Sequence, residues 1–323
     1  MKRTKALRVF GLVILLAVVW FIAQSKIASA PYAYGEKPSF TVSSIAYKVK
    51  HFQADTEIRL IGAYQLKATG TDQLVGLSDL VYHKDKMGLL SDHGLWFEAE
   101  KRGDDRFEIN NIIYLADHEG REWSDSEDIA FDKLSGQAYF AFERQNRLKV
   151  YDGNGKVLNT FRPSGLSGID GNQGMEGLGI GNNDEGKTVL VIASEKGDFF
   201  LCPEFSSARI EKCQIINAPD LIPSGFRPVS LDALEEGDGW LILYRAFDIV
   251  SGLRTILVHA HLNQNDWRNQ KILLRLEKGS LRDNYEGVSA LKTQKGYEIA
   301  LISDPLSTQS PPRLILMSWN MLN

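Results

Sequence analysis

A short acidic phrase returns five times along this chain at intervals near fifty residues, and each copy is followed by a second phrase thirteen to nineteen residues later. The first column reads Leu77-Ser78-Asp79-Leu80, Ser126-Glu127-Asp128-Ile129, Met175-Glu176-Gly177-Leu178, Pro228-Val229-Ser230-Leu231 and Tyr285-Glu286-Gly287-Val288. Its partner column reads Leu90-Ser91-Asp92, Phe142-Glu143, Ala193-Ser194-Glu195, Leu243-Tyr244-Arg245 and Ile302-Ser303-Asp304. From Ser78 the first column steps to Glu127, Glu176, Val229 and Glu286 by 49, 49, 53 and 57 residues. A period of that length marks a supersecondary unit that cannot bury its apolar face alone and must stack on its neighbours, as propeller blades do. Seven of the ten aligned positions are carboxylates, so the repeat carries chemistry as well as architecture.

After residue 31 the chain reads as short strands divided by turn chemistry. Apolar or alternating runs at 58–66, 87–90, 129–131, 137–142, 189–193, 240–244, 255–261, 297–302 and 313–319 are separated by phrases such as Asp152-Gly153-Asn154-Gly155 and Glu236-Gly237-Asp238-Gly239. No stretch sustains a helical period, and the fold class is all-β: a single propeller over 31–323. Five blades are read at about 79–122, 128–170, 177–226, 230–282 and 287–323. The last is short and is expected to be completed by an early strand such as 58–66, which closes the ring and removes exposed sheet edges. A sixth sheet stays open if residues 39–52 contribute one.

The first thirty residues stand apart. Lys2, Arg3, Lys5 and Arg8 precede an uncharged apolar run over 9–23, and Ala28-Ser29-Ala30 has the small residues of a cleavage site, so residues 1–30 read as a secretory signal. Pro31 sits where proline hinders cleavage, which leaves a retained membrane anchor open, although fifteen apolar residues are short for a span. The expected location is the periplasm or the outer face of the inner membrane. Five basic residues and no acid lie in that segment, so the remaining domain carries a net charge of −9 instead of the −4 of the whole chain. Such a domain is a poor partner for nucleic acid and a better one for cations. A monomer is expected. Cys202 and Cys213 flank what reads as a hairpin, and in an oxidising compartment they form a disulfide, with two buried thiols as the alternative.

In a four-stranded antiparallel blade, the connection into the innermost strand and the connection from the second strand to the third lie on the same face. Both columns therefore rim one end of the central channel, crowding Asp92, Glu127, Glu143, Glu176, Glu195, Glu286 and Asp304 around one funnel. Crowded carboxylates must protonate, pair with bases or bind a cation. Hard oxygen donors suit Ca²⁺, with Mg²⁺ second, and no His/Cys set has zinc spacing. The metal set is Asp92, Glu143, Glu176, Glu195, Glu286 and Asp304; the alternative is that these acids staple loops and pair with His93, Arg144 or Lys196. The fourth repeat departs: Val229 replaces an acid, Arg245 replaces its partner, and Arg227 stands nearby. Guanidinium groups opposite metal-binding acids would hold an anionic substrate, or Arg245 would simply neutralise the ring as an internal ion pair.

The phrases Gly76-Leu77-Ser78-Asp79 with Leu90-Ser91-Asp92-His93-Gly94, Asp125-Ser126-Glu127-Asp128 with Phe142-Glu143-Arg144, Asn172-Gln173-Gly174-Met175-Glu176-Gly177, and Asn284-Tyr285-Glu286-Gly287 with Ser303-Asp304 resemble the exported proteins described as esterase-like activity of phytase, or phytase-like. The resemblance covers about residues 60–323. It implies a β-propeller, export, and hydrolysis of phosphate or carboxylate esters with metal-held water. In that reading Glu127, Glu176 and Glu286 serve catalysis, while Arg227, Arg245, Arg144, Lys196 and His93 hold the small anionic ester. The chain departs from what a highly phosphorylated inositol requires, since it has no lysine-rich funnel and Val229 removes one carboxylate. A non-catalytic, calcium-stabilised propeller that binds a ligand or protein is the alternative. Gly165-Leu166-Ser167-Gly168 lacks the spacing of a serine-hydrolase elbow, and His118-Glu119 has no second histidine for a zincin site.

Overall fold

The computed structural model describes residues 38–321 except 49, 51, 116–124, 154, 167, 170–173 and 306–309. The leader over residues 1–30, its cleavage site and Asn172-Gln173 of the third phrase lie outside the described residues. Among those described there is no α-helix, and the strands form antiparallel meanders of four. The first comprises β4 (Leu77–His83), β5 (Lys86–Ser91), β6 (Leu95–Lys101) and β7 (Arg106–Tyr114), preceded in the chain by β1 (Ser39–Ser44), β2 (Gln53–Ala54) and β3 (Ile58–Thr69). The second runs through β8 (Ser126–Asp132), β9 (Gln137–Phe142), β10 (Arg147–Tyr151) and β11 (Val157–Phe161), and the third through β12 (Met175–Asn182), β13 (Thr188–Ser194), β14 (Phe199–Cys202) and β15 (Gln214–Ile216). Then come β16 (Arg227–Ala233), β17 (Trp240–Asp248), β18 (Gly252–Asn263) and β19 (Asp266–Leu276), and lastly β20 (Tyr285–Thr293), β21 (Gly296–Ser303) and β22 (Arg313–Asn320).

The last group has only three strands of its own. Its fourth is β3, which pairs antiparallel with β22 from Arg313↔Gln65 to Trp319↔Ile58. The early strand thus ties the two ends of the chain together, as the short C-terminal repeat required. β1 pairs with β3 along its whole length and with β7 over Ser39–Thr41, so the last and first meanders merge into one nine-stranded sheet. β2 extends the fourth sheet by pairing with β19.

The inner strands contact one another in cyclic order: β4 touches β8, β8 touches β12, β12 touches β16, β16 touches β20, and β20 returns to β4. That closed ring around one axis is a β-propeller. Alternation along each strand sends apolar side chains to both faces, and each face meets the next sheet. One apolar layer therefore lies at every junction: Leu90 and Trp96 against Phe140 and Phe142; Tyr139 and Leu148 against Leu190 and Phe200; Val191 and Phe199 against Trp240 and Ile242; Leu243 and Leu257 against Tyr285 and Ile299; Leu89 and Phe97 against Ile302 and Leu314. Trp240, fully buried, fits because β12 offers Gly179, where an added Cβ would stand 2.6 Å from the indole.

Cys202 and Cys213 form the expected disulfide. They close the β14–β15 hairpin one residue beyond the Leu201↔Gln214 pair. Some strands depart from expectation: β7 begins at Arg106 instead of Ile112, β6 and β19 were not expected, and the fourth sheet holds a longer hairpin. β17 and β18 continue past Arg245↔Thr255 to Asp248↔Gly252, a hairpin that the polar Arg254 and Asp248 hide from an apolar-run reading.

Candidate functional site

The pairing register explains why the first-column residues recur. In every inner strand the ladder with the second strand slips at that residue: between Leu77 and Asp79, Ser126 and Ile129, Met175 and Gly177, Pro228 and Ser230, and Tyr285 and Gly287. Ser78, Glu127, Glu176, Val229 and Glu286 are thus the extra residues of five β-bulges. A bulge turns the extra residue out of the ladder and re-aims its side chain, a device common beside functional sites.

The second column sits directly alongside. Asp92, Glu143, Glu195 and Asp304 are the first residues after β5, β9, β13 and β21. Their backbone N–H groups donate to carbonyls just ahead of the inner strands: Asp92 to Gly76 at 2.7 Å, Glu143 to Asp125 at 3.0 Å, Glu195 to Gly174 at 3.2 Å and Asp304 to Asn284 at 2.9 Å. Both columns therefore end at the same rim.

Their carboxylates meet there. Asp125, Glu127 and Glu143 each bring a carboxylate oxygen within 4.8 Å of the others, and Glu143, Glu176 and Glu195 do the same. Glu143 belongs to both groups and accepts the N–H of Gly174 at 3.2 Å. Burial, then Asp125 and Glu195, push its carboxyl up to about 7. Burial followed by the neighbouring acids raises Asp92, Glu127 and Glu176 well above the usual carboxylate range. Asp304 is raised to about 6 by burial, although the N–H groups of Gly76 and Leu77 pull the other way.

Arg245 takes the internal of its two expected places. Its guanidinium pairs with Glu286 and donates to Asn284 Oδ1 at 2.9 Å, while Asn284 Nδ2 donates to the same Glu286 oxygen at 2.6 Å. Burial still lifts Glu286 to about 7 against that cation. Of the other basic candidates, Arg144 and His93 lie against rim acids, while Lys196 and Arg227 bond backbone carbonyls. Arg144 lies at the solvent edge, its Nε 2.6 Å from Asp125 Oδ2; Lys196 donates to the carbonyl of Gly168; Arg227 donates to the carbonyl of Phe226 at 3.1 Å. His93 lies 3.3 Å from Asp92, and burial lowers the pKa of its ring, which favours the neutral form.

Four acids and one amide that matter here escaped the sequence reading. Asp125, whose backbone adopts a left-handed φ of 46°, joins the first triad. Asn284 bridges Arg245 and Glu286. Asp79 and Asp128, the second acids of the first two phrases, point down the channel and hold the free edges of the inner strands. Asp128 accepts the N–H groups of Ile129 (2.8 Å), Leu178 (2.6 Å) and Leu231 (3.1 Å); Asp79 accepts from Ile129 (3.2 Å) and from the Ser230 hydroxyl (3.3 Å), whose oxygen receives Val288 N–H (3.1 Å). Burial raises both acids, Asp79 to about 6 and Asp128 well above the usual carboxylate range. Asp232 repeats the device one step further, accepting Ala290 N–H at 2.6 Å. The signal for Asp79 and Asp128 was present as the acid that follows the bulge residue in the first two phrases.

The molecule is a β-propeller whose bulged inner strands gather carboxylates at one end of the channel. The family model for phytase-like proteins, described as esterase-like activity of phytase, matches residues 72–305, and the chain belongs to that family. No curated protein matches. Solved structures of similar shape include Myxococcus xanthus glutaminyl cyclase (13% identity, 82% of this chain and 97% of that one, TM-score 0.45). A luciferin-regenerating enzyme matches at 11% identity over 87% of this chain and 92% of its own, with a TM-score of 0.45. The Kuenenia stuttgartiensis hydrazine synthase matches at 11% identity over 71% of this chain and 56% of its own, with a TM-score of 0.40. At these scores the likenesses carry nothing about chemistry.

Proposed function

We propose that the chain is an exported hydrolase of phosphate or carboxylate esters that works with a divalent cation, calcium before magnesium, held by the acid rim. The observation that supports this reading most is the pair of carboxylate triads sharing Glu143, in each of which one oxygen per acid lies within 4.8 Å of the others. Two oxygens on opposite sides of one calcium ion lie up to about 5 Å apart, so the donor type and spacing fit the ion. Glu143, Glu176 and Glu195 would hold it, with Asp125 and Glu127 beside them and Asp92, Glu286 and Asp304 completing the rim. When bound, the ion would polarise the ester oxygen and lower the pKa of a coordinated water.

The chain's own groups supply the rest. Glu127, Glu176 and Glu286, their carboxyls raised by burial, would carry the proton of the hydrolytic step. Arg144, Lys196 and Arg227, at the rim, would meet an anionic ester from solution. Arg245 positions Glu286 instead of facing the substrate. The export reading places this activity in the periplasm or at the outer face of the inner membrane, where a monomer would act on a small ester.

A second reading, a non-catalytic propeller stiffened by calcium, is favoured by the Arg245–Glu286 pair, which neutralises part of the rim without any substrate. Hydrolysis of chromogenic phosphate and acyl esters by the full-length protein, with calcium or with chelator, separates the two. Turnover that needs calcium and is lost in Glu176→Gln supports the hydrolase. Calcium-raised stability with no turnover supports the second reading.

A further inference from the structure

The opposite end of the channel holds a cavity of about 750 Å³ that the acid rim does not use. The Asp79–Asp128–Ser230 layer separates the two, since it spans the inner strands between the bulges and the cavity. Its walls are apolar and partly aromatic, with Trp96, Phe131, Ile180, Leu231, Val288 and Leu291 among them. Phe131 keeps 36% of its surface exposed and packs at 6.3 Å from Trp96, so an aromatic face is left open to the cavity. A volume of this size accommodates a small organic molecule.

The polar groups along the wall are few and set in one direction. The channel-facing N–H groups of the inner strands alternate along each edge. Ile129 and Leu178 donate theirs to Asp79 and Asp128, and two residues further along Tyr82 donates to the Ser289 hydroxyl (3.1 Å) and Ala290 to Asp232. By the same alternation the N–H groups of Phe131 and Ile180 belong to the channel side of their strands, beside the cavity that both residues line. The charged residues around the mouth are mostly engaged: Lys133 with Glu235 at 2.9 Å, Lys86 with Glu100 at 3.3 Å, Asp132 with the Ser135 hydroxyl at 2.6 Å, and Glu98 with the Trp96 indole N–H at 3.3 Å. The remaining titratable groups of the lining are His83, Asp232 and Tyr82, whose hydroxyl donates to Glu298 at 3.4 Å. Asp232 is already engaged, accepting the Ala290 N–H at 2.6 Å, and burial raises its carboxyl to about 7. Both lysines of the lining are thus paired, and the acids there outnumber them, which disfavours an anion.

We propose that this cavity is a second binding site, for an uncharged, mainly apolar small molecule that carries a carbonyl or hydroxyl oxygen. The apolar body would lie along Phe131, Leu231 and Val288, and the oxygen would accept from the Phe131 and Ile180 N–H groups. Because the site is at the far end from the carboxylate rim, it stands or falls independently of the hydrolase reading.

The test is titration of the full-length protein with Nile red, an uncharged aromatic dye with a carbonyl, followed by displacement with 2-undecanone, undecanoate and undecylamine. One saturable site is expected, weakened at least about tenfold by Ile180→Glu and by Phe131→Asp, since each puts a charge on the apolar wall. Ile249→Asp, on the exposed β17–β18 hairpin tip, should leave it unchanged. The ketone should displace the dye and the carboxylate should not. Each variant's far-ultraviolet circular dichroism and urea unfolding midpoint would show that the propeller is intact. Absence of saturable binding, binding indifferent to both wall substitutions in folded protein, or preference for the amine or the carboxylate over the ketone would overturn the proposal.

Discussion

Replacing Glu143 by glutamine should make the metal-free protein more stable at alkaline pH and less responsive to calcium. Glu143 is buried and shared by both triads, and its folded pKa is about 7 against an ordinary 4.5. A raised folded pKa means that the native state binds the proton more tightly than the unfolded chain. The stabilisation it brings is complete below pH 4.5 and is lost as pH rises through 7. That difference corresponds to at most about 3 kcal/mol by pH 8. Glutamine keeps the size and the acceptor for Gly174 N–H but removes the charge. Glu143→Gln should therefore exceed the wild type by about 1–3 kcal/mol at pH 8 in chelator and match it at pH 4. Saturating calcium should reverse the order, because binding at a hundred times Kd adds about 2.7 kcal/mol to the wild type and little to the variant. Urea unfolding followed by tryptophan fluorescence, at both pH values and with calcium or chelator, reads all of this. A variant less stable than the wild type in chelator at pH 8, with an undiminished calcium response, would refute the electrostatic account of the rim.

Asp232→Asn tests the channel wall: Asp232 is raised from 3.8 to about 7 by burial, so it destabilises the native state as pH climbs from 3.8 to 7, and the variant should gain at most about 4 kcal/mol at pH 8 and nothing near pH 3.5 in the same unfolding assay. Gly287→Ala would place a Cβ 2.6 Å from the Asp79 backbone at the junction of β20 with β4, and a loss of about 1–3 kcal/mol is expected; an unchanged unfolding midpoint would show that this contact yields freely. Reducing the Cys202–Cys213 bond, which spans 11 residues, should cost about 3 kcal/mol of denaturant stability, a value that an unchanged midpoint in reductant would contradict.

The repeat was legible because its period is long and its phrases are chemically distinctive; from it followed the all-β class, the propeller, and the gathering of both columns on one face. The closing strand was legible too, because the final repeat lacked a strand that 58–66 could supply. The bulges were not. A register slip belongs to a pair of strands, and nothing in Glu176 or Glu286 alone says that its partner ladder skips a residue. The roles of Asp79 and Asp128 were hidden for a related reason, as their acceptors serve strands about fifty and a hundred residues away. Arg245 was open between substrate contact and internal pair, and only the position of Glu286 and Asn284 around its guanidinium separates the two. The far cavity had no sequence signature at all, because it is lined by the same apolar alternation that builds the walls of every sheet.

The acid rim as a divalent-cation site is the centre of this account, and calorimetric titration of chelator-stripped, full-length protein with calcium near neutral pH tests it most directly. Saturable binding is predicted, accompanied by proton release because Glu143, Glu176 and Glu286 bind protons above the usual carboxylate range, and strongly weakened in Glu143→Gln. No binding at millimolar calcium, or binding that survives Glu143→Gln unaltered, would contradict it.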